Sequence, residues 1–555
     1  MADALSELAE FIRLGRTGPD GKARELLAGL FGGRYYKDHA KDTLIRDALG
    51  MAGSQDEDGT GSGSGSGRPE NVPFAGLTAP DNPPSGPYGG ASVVWFPVPG
   101  EGSLLTFVVG TRGLNPDEGL LTRPGHRRRV AALRRRLAAL GIPSWSKSDP
   151  SALGVPVPEV TRRRFAPFDR ALRRYGQQLY CIARVPKDDS RKELARTVVQ
   201  AFFDLYAYER NWRIYKEAEA DSLALMDRLR ADLFPPVSPE EVYDLLLERR
   251  FVVLQGPPGT GKTRLAGLIQ RDHFGGRGLT VQFHPAVTYE DFVVGLSPDT
   301  KEGSLHFNVR PGWLLAAARE AARDRGKPYL LVIDEVNRAD LGKVLGEAIY
   351  LFEADEVGGP NARRVRLPHA VDGTESFALP ENLYVLATMN TADRSIAGMD
   401  LAVRRRFAFV TVPPDRGVVA AVAEKGLPQA LEVFDRLQDV FIEHAPDDAL
   451  VLLPGHSYFL AGNETELRRR FKYELLPLLD EYLHEGFLGP CSAELQAVRD
   501  YIEDSLENGT APDTAGGATG GAAGDTAGTA AAENPIEDGE AQVGIAVGAG
   551  SDGRS

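Results

Sequence analysis

The segment Phe251-Val252-Val253-Leu254-Gln255-Gly256-Pro257-Pro258-Gly259-Thr260-Gly261-Lys262-Thr263 predicts the architecture of the larger part of this chain. Its apolar start predicts a buried strand, its last eight residues fit GxxxxGK[ST] in full, and Arg264 to Gln270 predict a helix. In a strand–loop–helix of this kind, backbone N–H groups curl around phosphate oxygens at the positive end of the helix dipole. We therefore expect a phosphate-binding loop, with Lys262 reaching the β- and γ-phosphates and Thr263 a ligand of Mg²⁺.

A second predicted strand, which ends in two carboxylates, supports this interpretation. Tyr329 to Ile333 is apolar throughout and is followed by Asp334 and Glu335. In a doubly wound sheet this strand lies close to the one that precedes the phosphate loop. We expect Asp334 to hold Mg²⁺ and Glu335 to orient and polarise an attacking water, rather than the pair being a surface acidic pair.

Two later segments complete the predicted site. Leu383 to Thr388 predicts another strand that ends at Met389-Asn390, where Asn390 holds the water or the γ-phosphate, or else caps the next turn. Arg404-Arg405-Arg406-Phe407 follows a short helical stretch. An arginine from a neighbouring subunit can stabilise the charge of phosphoryl transfer, whereas an arginine cluster on a solvated helix end is the alternative.

Composition excludes several classes of protein. The chain has 555 residues, 42% hydrophobic and 26% charged, with a net charge of −14. Cys181 and Cys491 cannot form a disulfide framework. We find neither an apolar stretch long enough for a membrane helix nor a signal-peptide pattern at Met1, so we expect a cytoplasmic location with no membrane partner.

The regions around the phosphate loop differ in composition. Residues 1–50 predict a short helical segment, with Leu5, Leu8, Ala9 and Ile12 on one face. Residues 51–72 form a Gly/Ser linker, and residues 506–555 form a Gly/Ala-rich acidic tail that we expect to be disordered. Residues 73–235 mix strand and helix patterns: 92–96 and 104–109 predict a hairpin, and 126–140, 168–184 and 191–231 predict helices.

Positive charge is concentrated in residues 121–175. This segment holds 14 Lys and Arg against 3 Asp and Glu, including the triplets 127–129, 134–136 and 162–164. Such a surface could contact DNA phosphates, with Trp145, Phe165 or Tyr175 stacking on bases. The alternative is a solvated helix face paired with acidic residues elsewhere.

Together these motifs resemble the AAA+ family and, within it, the McrB-like branch of restriction NTPases. The resemblance covers about 250–485. Besides the segments above it includes Phe283-His284-Pro285 with Tyr289-Glu290-Asp291-Phe292, Asp334 to Ala339, Met389 to Ser395, and Gly455-His456-Ser457-Tyr458-Phe459. It implies nucleotide at Gly256 to Thr263, Mg²⁺ at Thr263 and Asp334, Glu335 at the water, Asn390 as sensor, and Arg405 or Arg406 as trans-acting finger.

The resemblance also implies an assembly and a fold. Family members form rings, commonly hexamers, and the McrB branch works with a separate nuclease subunit. The loop has the common ATPase form, which favours ATP over GTP. The expected fold is α/β: a P-loop parallel sheet at 236–415, a helical lid at 416–505, and an α+β domain with a basic surface at 73–235. His284 and His456 lie in these motif-like segments, and a lone histidine more often packs or forms a hydrogen bond than carries chemistry.

Two principal functions fit these expectations. The first is a ring-forming ATPase motor that acts on DNA in a restriction or defence system. The second is a protein-remodelling ATPase whose N-terminal region binds a protein client. A nucleotide switch without motor activity is disfavoured by Asn390 and the arginine cluster.

Overall fold

A computed structural model describes residues 4–17, 21–37, 44–47, 72–78, 90–110, 117–301, 304–359, 361–392, 401–486 and 489–508. The α-helices of this part of the chain are α1 (Ala4–Arg13), α2 (Lys22–Gly29), α3 (Glu118–Thr122), α4 (Pro124–Ala139), α5 (Glu159–Arg164), α6 (Asp169–Tyr175), α7 (Lys192–Tyr208), α8 (Lys216–Ala231), α9 (Pro239–Arg249), α10 (Lys262–His273), α11 (Tyr289–Phe292), α12 (Trp313–Arg323), α13 (Leu341–Leu345), α14 (Leu401–Arg404), α15 (Arg416–Ala423), α16 (Pro428–Glu443), α17 (Glu464–Arg470), α18 (Leu476–His484) and α19 (Ser492–Asn508). Its strands are β1 (Leu44–Asp47), β2 (Ala75–Thr78), β3 (Ala91–Val98), β4 (Gly102–Val109), β5 (Ser144–Ser146), β6 (Leu179–Arg184), β7 (Phe251–Gly256), β8 (Gly278–Gln282), β9 (Val294–Lys301), β10 (Ser304–Pro311), β11 (Tyr329–Asp334), β12 (Val365–Val371), β13 (Thr374–Phe377), β14 (Leu383–Asn390) and β15 (Ala408–Thr411).

A parallel sheet of five strands carries the phosphate loop. Its order is β15-β7-β14-β11-β8, and every neighbouring pair is parallel. Successive residues of β7 bury alternately into two cores, Phe251 and Val253 on one face and Val252 and Leu254 on the other. A strand covered on both faces has to be apolar throughout, which explains the continuous run in the sequence. The predicted α/β fold is confirmed.

An antiparallel sheet forms the N-terminal region. Its order is β1-β2-β3-β4-β6-β5. Helix α1 packs into the core on one face of this sheet, with Leu5, Leu8, Ala9 and Ile12 buried as their spacing predicts. The hairpin predicted from 92–96 and 104–109 is confirmed as β3–β4. The helix predicted over 168–184 is wrong in its second half: α6 ends at Tyr175, and the apolar residues that follow form strand β6, which pairs with both β4 and β5.

The lid is a helical body with its own core. Helices α15 to α19 enclose this core, and Phe434 of α16 meets Phe459 edge to face at 5.2 Å between ring centroids. Residues 51–71 of the predicted linker 51–72 and residues 509–555 of the predicted tail 506–555 lie outside the described residues. The tail prediction is wrong for residues 506–508, which form the last turn of α19. Within the part that the structure describes, no helix is long and apolar enough to cross a membrane.

The basic segment 121–175 does not form one surface. Leu133 of α4 packs on the sheet face that carries Trp95 and Phe107. Leu172 of α6 packs on the opposite face, which places the arginines of α5 and α6 on the other side of the sheet from α4. The basic surface expected from the sequence is therefore divided between the two faces of the sheet, because residue spacing does not show which face each helix covers.

Candidate functional site

The phosphate loop lies between the carboxyl end of β7 and the first turn of α10. Gly259 and Gly261 have φ values of +77° and +75°, a region that side chains with a Cβ rarely adopt. Thr260 is buried, and its hydroxyl donates to the Pro257 carbonyl at 3.1 Å. The glycines at these two positions are thus required by the turn itself. Residues Gly256 to Thr263 occupy the strand–loop–helix that the sequence predicts.

Lys262 is a buried amine whose hydrogen-bond acceptors, among the residues that the structure describes, are two backbone carbonyls. Its Nζ donates to the carbonyls of Gly256 at 3.0 Å and Pro257 at 2.6 Å, and the residue is 9% exposed. Burial lowers the pKa of the Lys262 amine to about 8, while Asp334 and Glu335 oppose the shift. A buried ammonium of this kind is stabilised when an anion enters the loop.

A short polar network joins α10, β11 and β14 at the same edge of the sheet. Thr263 Oγ1 donates to Asp334 Oδ1 at 2.8 Å, and Thr388 Oγ1 donates to the same oxygen at 2.6 Å. The Glu335 N–H donates to Thr388 Oγ1 at 3.0 Å. One buried hydroxyl, that of Thr388, therefore contacts both acidic residues. Sequence reasoning missed this residue because a threonine within a predicted strand carries no distinguishing pattern.

Glu335 has an unusual backbone conformation. Its φ and ψ are 53° and 47°, in the left-handed region that a non-glycine residue enters at a cost. Its carboxylate pairs with Arg338 Nε at 2.9 Å and lies 3.5 Å from Gln282 Nε2. The hydrogen bond from the Glu335 N–H to Thr388 stabilises this backbone conformation. The direction of the Glu335 carboxylate therefore depends on the position of the neighbouring strand β14.

Asn390 lies beside the phosphate loop. It pairs in register with Gly256 at the end of β14. Its Oδ1 accepts from the Ala392 N–H at 3.1 Å, and its carbonyl accepts from Asn337 Nδ2 at 3.0 Å. In this structure the side chain thus caps the following turn, the alternative left open by the sequence, while its location beside the loop fits a sensor. The rest of that segment, residues 393–395, lies outside the described residues.

The arginine cluster lies at the opposite end of the sheet. Ala408, two residues after Arg406, pairs with Val252 at the start of β7. At ~3.3 Å per strand residue, the cluster is roughly 20 Å from the loop of its own chain. The Arg405 side chain is 68% exposed and that of Arg406 is 9% exposed. Both pair with Glu353, Arg405 at 3.7 Å and Arg406 at 3.3 Å. Neither arginine reaches the phosphate loop in the same chain.

The lid covers the phosphate loop through residues 455–457. The Gly455 N–H donates to the Pro258 carbonyl at 3.1 Å, and the Ser457 N–H donates to the Gly259 carbonyl at 3.0 Å. A Cβ on Gly455 would lie 2.1 Å from the Gly259 carbonyl carbon, so this approach requires glycine. His456 Nδ1 accepts from the Asp415 N–H at 3.1 Å, and burial lowers its pKa. This bond leaves a neutral His456 with its proton on Nε2, beside Gly261.

The donor set fits Mg²⁺ shared with nucleotide. Thr263 and Asp334 supply hard oxygen ligands, and Mg²⁺ sites of this kind add substrate phosphates and waters to one or two carboxylates. Among the residues that the structure describes, no group of three or more His, Cys, Asp and Glu could hold a metal by itself.

Two known families match this part of the chain. Residues 251–407 match the AAA domain (dynein-related subfamily), and residues 453–487 match the McrB alpha-helical lid domain. Together with the parallel sheet, phosphate loop and lid, these matches define the class: the module is an AAA+ domain, of the kind that hydrolyses nucleoside triphosphates.

Relatives narrow the class to a branch. The Type IV methyl-directed restriction enzyme EcoKMcrB subunit of Escherichia coli (strain K12) is 32% identical over 287 residues, which are 48% of this chain and 61% of that protein. The Type II restriction enzyme BsuMI component YdiS of Bacillus subtilis (strain 168) is 25% identical over 190 residues, 28% of this chain and 55% of that protein. This chain therefore spans less than two thirds of either relative. The chain carries an AAA+ ATPase module of the McrB-like branch, and the resemblance seen in the sequence is confirmed.

A crystal structure of a putative ATPase from Cytophaga hutchinsonii ATCC 33406 is 14% identical and covers 49% of this chain and 77% of its own, with a TM-score of 0.22. A similarity at that TM-score supports no further conclusion.

Proposed function

We propose that this protein hydrolyses ATP as the ring-forming motor subunit of a McrB-like restriction system, with a separate nuclease partner. The observation that supports the proposal most is the meeting of Thr263, Asp334, Glu335 and Thr388 at the edge of the sheet that carries Lys262. A loop for phosphates, two oxygen ligands for a cation and a positioned carboxylate are the parts that phosphoryl transfer to water requires.

Each residue has a proposed role in this reaction. The amides of residues 256–263 and the Lys262 ammonium bind the phosphates of ATP or GTP. Thr263 and Asp334 hold Mg²⁺, which neutralises charge on the phosphates when bound. Glu335 orients the attacking water and accepts its proton. Asn390 contacts the water or the γ-phosphate once its side chain leaves the turn that it caps here.

Ring formation completes the proposed site. Because the arginine cluster lies far from the loop of its own chain, Arg405 can stabilise the reaction only from a neighbouring subunit. Both arginines pair with Glu353, but the Arg405 side chain is exposed and accessible to a neighbouring subunit, whereas that of Arg406 is largely buried. We propose Arg405 as the finger and Arg406 as the residue that supports the segment carrying it.

The restriction role is supported by the relatives. Both are described as parts of larger restriction enzymes, one as a subunit and the other as a component. We propose by analogy that this chain supplies the motor and that a separate subunit cuts DNA. The cytoplasmic location expected from the sequence stays a prediction.

DNA contact is proposed for α5 and α6 only. Arg127, Arg128 and Arg129 are occupied by the lid, and the side chain of Phe165 is buried in the core, so it cannot stack on a base. Arg164 and Arg174 are exposed and form no ion pair within the described residues. If they bind phosphates, replacing both by Glu should reduce the steepness of log K against log[salt] by about 0.9 for each phosphate that is no longer neutralised. Arg134→Glu, on the other sheet face, serves as the control.

The reduced basic surface also favours the second function, a protein-remodelling ATPase with an N-terminal client site. DNA binding that is absent or insensitive to salt would support this function over the first.

The experiment that tests the proposed activity compares wild type with Glu335→Gln. Turnover of ATP and of GTP is measured with assembly followed by light scattering. We expect nucleotide-dependent assembly in both proteins and turnover in the wild type only, with ATP preferred. Absence of turnover with both nucleotides, also after addition of DNA and a candidate nuclease subunit, would contradict the proposal.

A further inference from the structure

A buried arginine of the N-terminal region, Arg128, caps the carboxyl end of a lid helix. Arg128 of α4 donates from Nη1 to the carbonyls of Phe441 at 2.6 Å and Ile442 at 2.8 Å. Its Nη2 donates to the Ala445 carbonyl at 2.5 Å and to Asp447 Oδ1 at 2.9 Å. These acceptors lie at the carboxyl end of α16 and just after it, where helix carbonyls lack partners and the helix dipole is negative. A guanidinium is well suited to cap such an end.

A second arginine strengthens the same contact. Arg129 donates to Glu209 Oε1 at 2.6 Å within the N-terminal region and to Glu443 Oε2 at 3.0 Å on the lid. Both arginines are 6% exposed. A Cβ on Gly125 would lie 2.9 Å from the Glu443 Cα, so α4 and α16 approach as closely as a glycine allows. The contact is thus buried, charged and closely packed.

The other end of the lid lies on the nucleotide site. Gly455 and Ser457 donate to carbonyls of the phosphate loop, as described above. Phe459, two residues further on, packs against Phe434 in the middle of α16. The helix held by Arg128 and the segment that covers the loop therefore share one hydrophobic core. A displacement at one end of this body is expected to reach the other, because packed cores move as units.

We propose that Arg128 is a positioning residue for the nucleotide site: by fastening α16 to α4 it holds the lid segment 455–457 on the phosphate loop and makes the N-terminal region move with the lid. This inference rests on the proposed function, since it concerns nucleotide binding at the same loop. Under this proposal, a ligand that binds the N-terminal region changes the affinity of the phosphate loop for nucleotide.

Charge burial explains why the contact stays closed during lid movement. Separating Arg128 from its acceptors inside the interface would leave a buried guanidinium and free carbonyls, an arrangement that proteins avoid. A lid that moves when nucleotide binds must therefore carry α4 with it. Arg127, by contrast, pairs with Asp447 at the exposed rim, at 2.8 Å, where water can replace the partner.

Hydrogen exchange on the full chain tests the proposal without requiring hydrolysis. A non-hydrolysable ATP analogue is added, and exchange is followed in residues 124–139 and 453–460. We expect the analogue to slow exchange in both segments of the wild type. In Arg128→Met, α4 should lose the nucleotide-dependent part of its protection, and the lid segment should be protected less than in the wild type at the same concentration of analogue. Nucleotide-independent exchange of α4 in the wild type, with protection of 453–460 intact, would overturn the proposal.

Kinetics of the same proteins supply a second readout. Arg128→Met should raise KM for ATP by about three- to tenfold and leave kcat within about twofold, because the groups that carry out hydrolysis are untouched. Arg128→Lys should recover part of the KM. Arg134→Met removes an exposed charge from the same helix and should change neither constant.

The two proposals fail in different ways. A wild type that binds the analogue but turns over no nucleotide contradicts the proposed function and leaves the exchange test intact. Turnover with an unchanged KM in a folded Arg128→Met contradicts the positioning role alone. If Arg128→Met does not fold, Asp447→Asn replaces it in the kinetic assay, and the wild-type exchange result still decides.

Discussion

Replacing Thr388 by Val isolates the hydroxyl that joins the two acidic residues of the site. Thr388 is 2% exposed, and Val has the same branched shape. The change removes the bond donated to Asp334 at 2.6 Å and the bond accepted from the Glu335 N–H at 3.0 Å. Thr388→Ser is the matched control, because it keeps the hydroxyl and removes only the methyl group.

The expected magnitude follows from these two bonds. A hydrogen bond to a charged group contributes about 1.5–3 kcal/mol and a neutral one about 1 kcal/mol. Asp334 is half-buried and keeps its bond from Thr263, so water replaces part of what the variant removes. We expect the free energy of unfolding to fall by about 2 kcal/mol. If most of this energy holds Glu335 in its left-handed conformation, kcat should fall by roughly 10- to 30-fold, at about 1.4 kcal/mol per factor of ten.

The assay compares kcat and KM for ATP with the denaturant midpoint in the wild type, Thr388→Val and Thr388→Ser. We expect KM to change little in both variants, since neither touches the phosphate loop. The Ser variant should keep kcat within about threefold of wild type, the removal of one buried methyl costing about 1 kcal/mol of stability. Equal kcat in the Val and Ser variants would refute the positioning role of the hydroxyl, whatever their stabilities.

The remaining predictions concern the phosphate loop, the ring and the lid. The pKa of Lys262, lowered to about 8, means that nucleotide-free protein loses this charge above that pH; the Kd for ATP should therefore rise above pH 8, by up to about tenfold per pH unit, and flatten in Lys262→Arg. The free energy of unfolding changes in the opposite sense. The cost of burying the charged Lys262 is fully present below pH 8 and disappears between pH 8 and the ordinary lysine pKa, so thermal unfolding without nucleotide should show stability rising over that range. Mixing Arg405→Ala with Glu335→Gln should restore turnover that each variant lacks alone, because a mixed ring contains sites with both intact groups; unrestored activity contradicts a finger acting in trans. Gly455→Ala should weaken ATP binding by about 1–3 kcal/mol through overpacking on the loop, whereas Gly462→Ala, whose Cβ meets only the end of Glu466 at 3.5 Å, should not.

The parallel sheet and the phosphate loop could be predicted because their sequence signals are local. A strand buried on both faces has to be apolar at each position, as Phe251 to Leu254 are, and a loop with positive φ needs glycine at fixed positions. Asp334 and Glu335 follow a second apolar strand directly, which indicated that they lie at the same edge of the sheet as the phosphate loop. Thr388 could not be predicted in this way, because its role depends on the register of β14 with β11, which a single sequence does not show.

The basic segment shows the same limit in terms of charge. The triplet Arg127 to Arg129 and the triplet 162–164 look equivalent in the sequence, but the first meets free carbonyls and carboxylates about 310 residues further along the chain, whereas the second lies on an exposed helix. An arginine becomes buried when most of its five donors find acceptors, and those acceptors here are mainly backbone carbonyls of a helix end, which are present for every sequence. A cluster of arginines therefore predicts that hydrogen-bond acceptors lie nearby, but not whether these acceptors are phosphates, carboxylates or backbone carbonyls. In this chain the acceptors of Arg128 lie on the lid. Part of the charge that suggested a DNA surface therefore connects the N-terminal region to the lid that covers the nucleotide site.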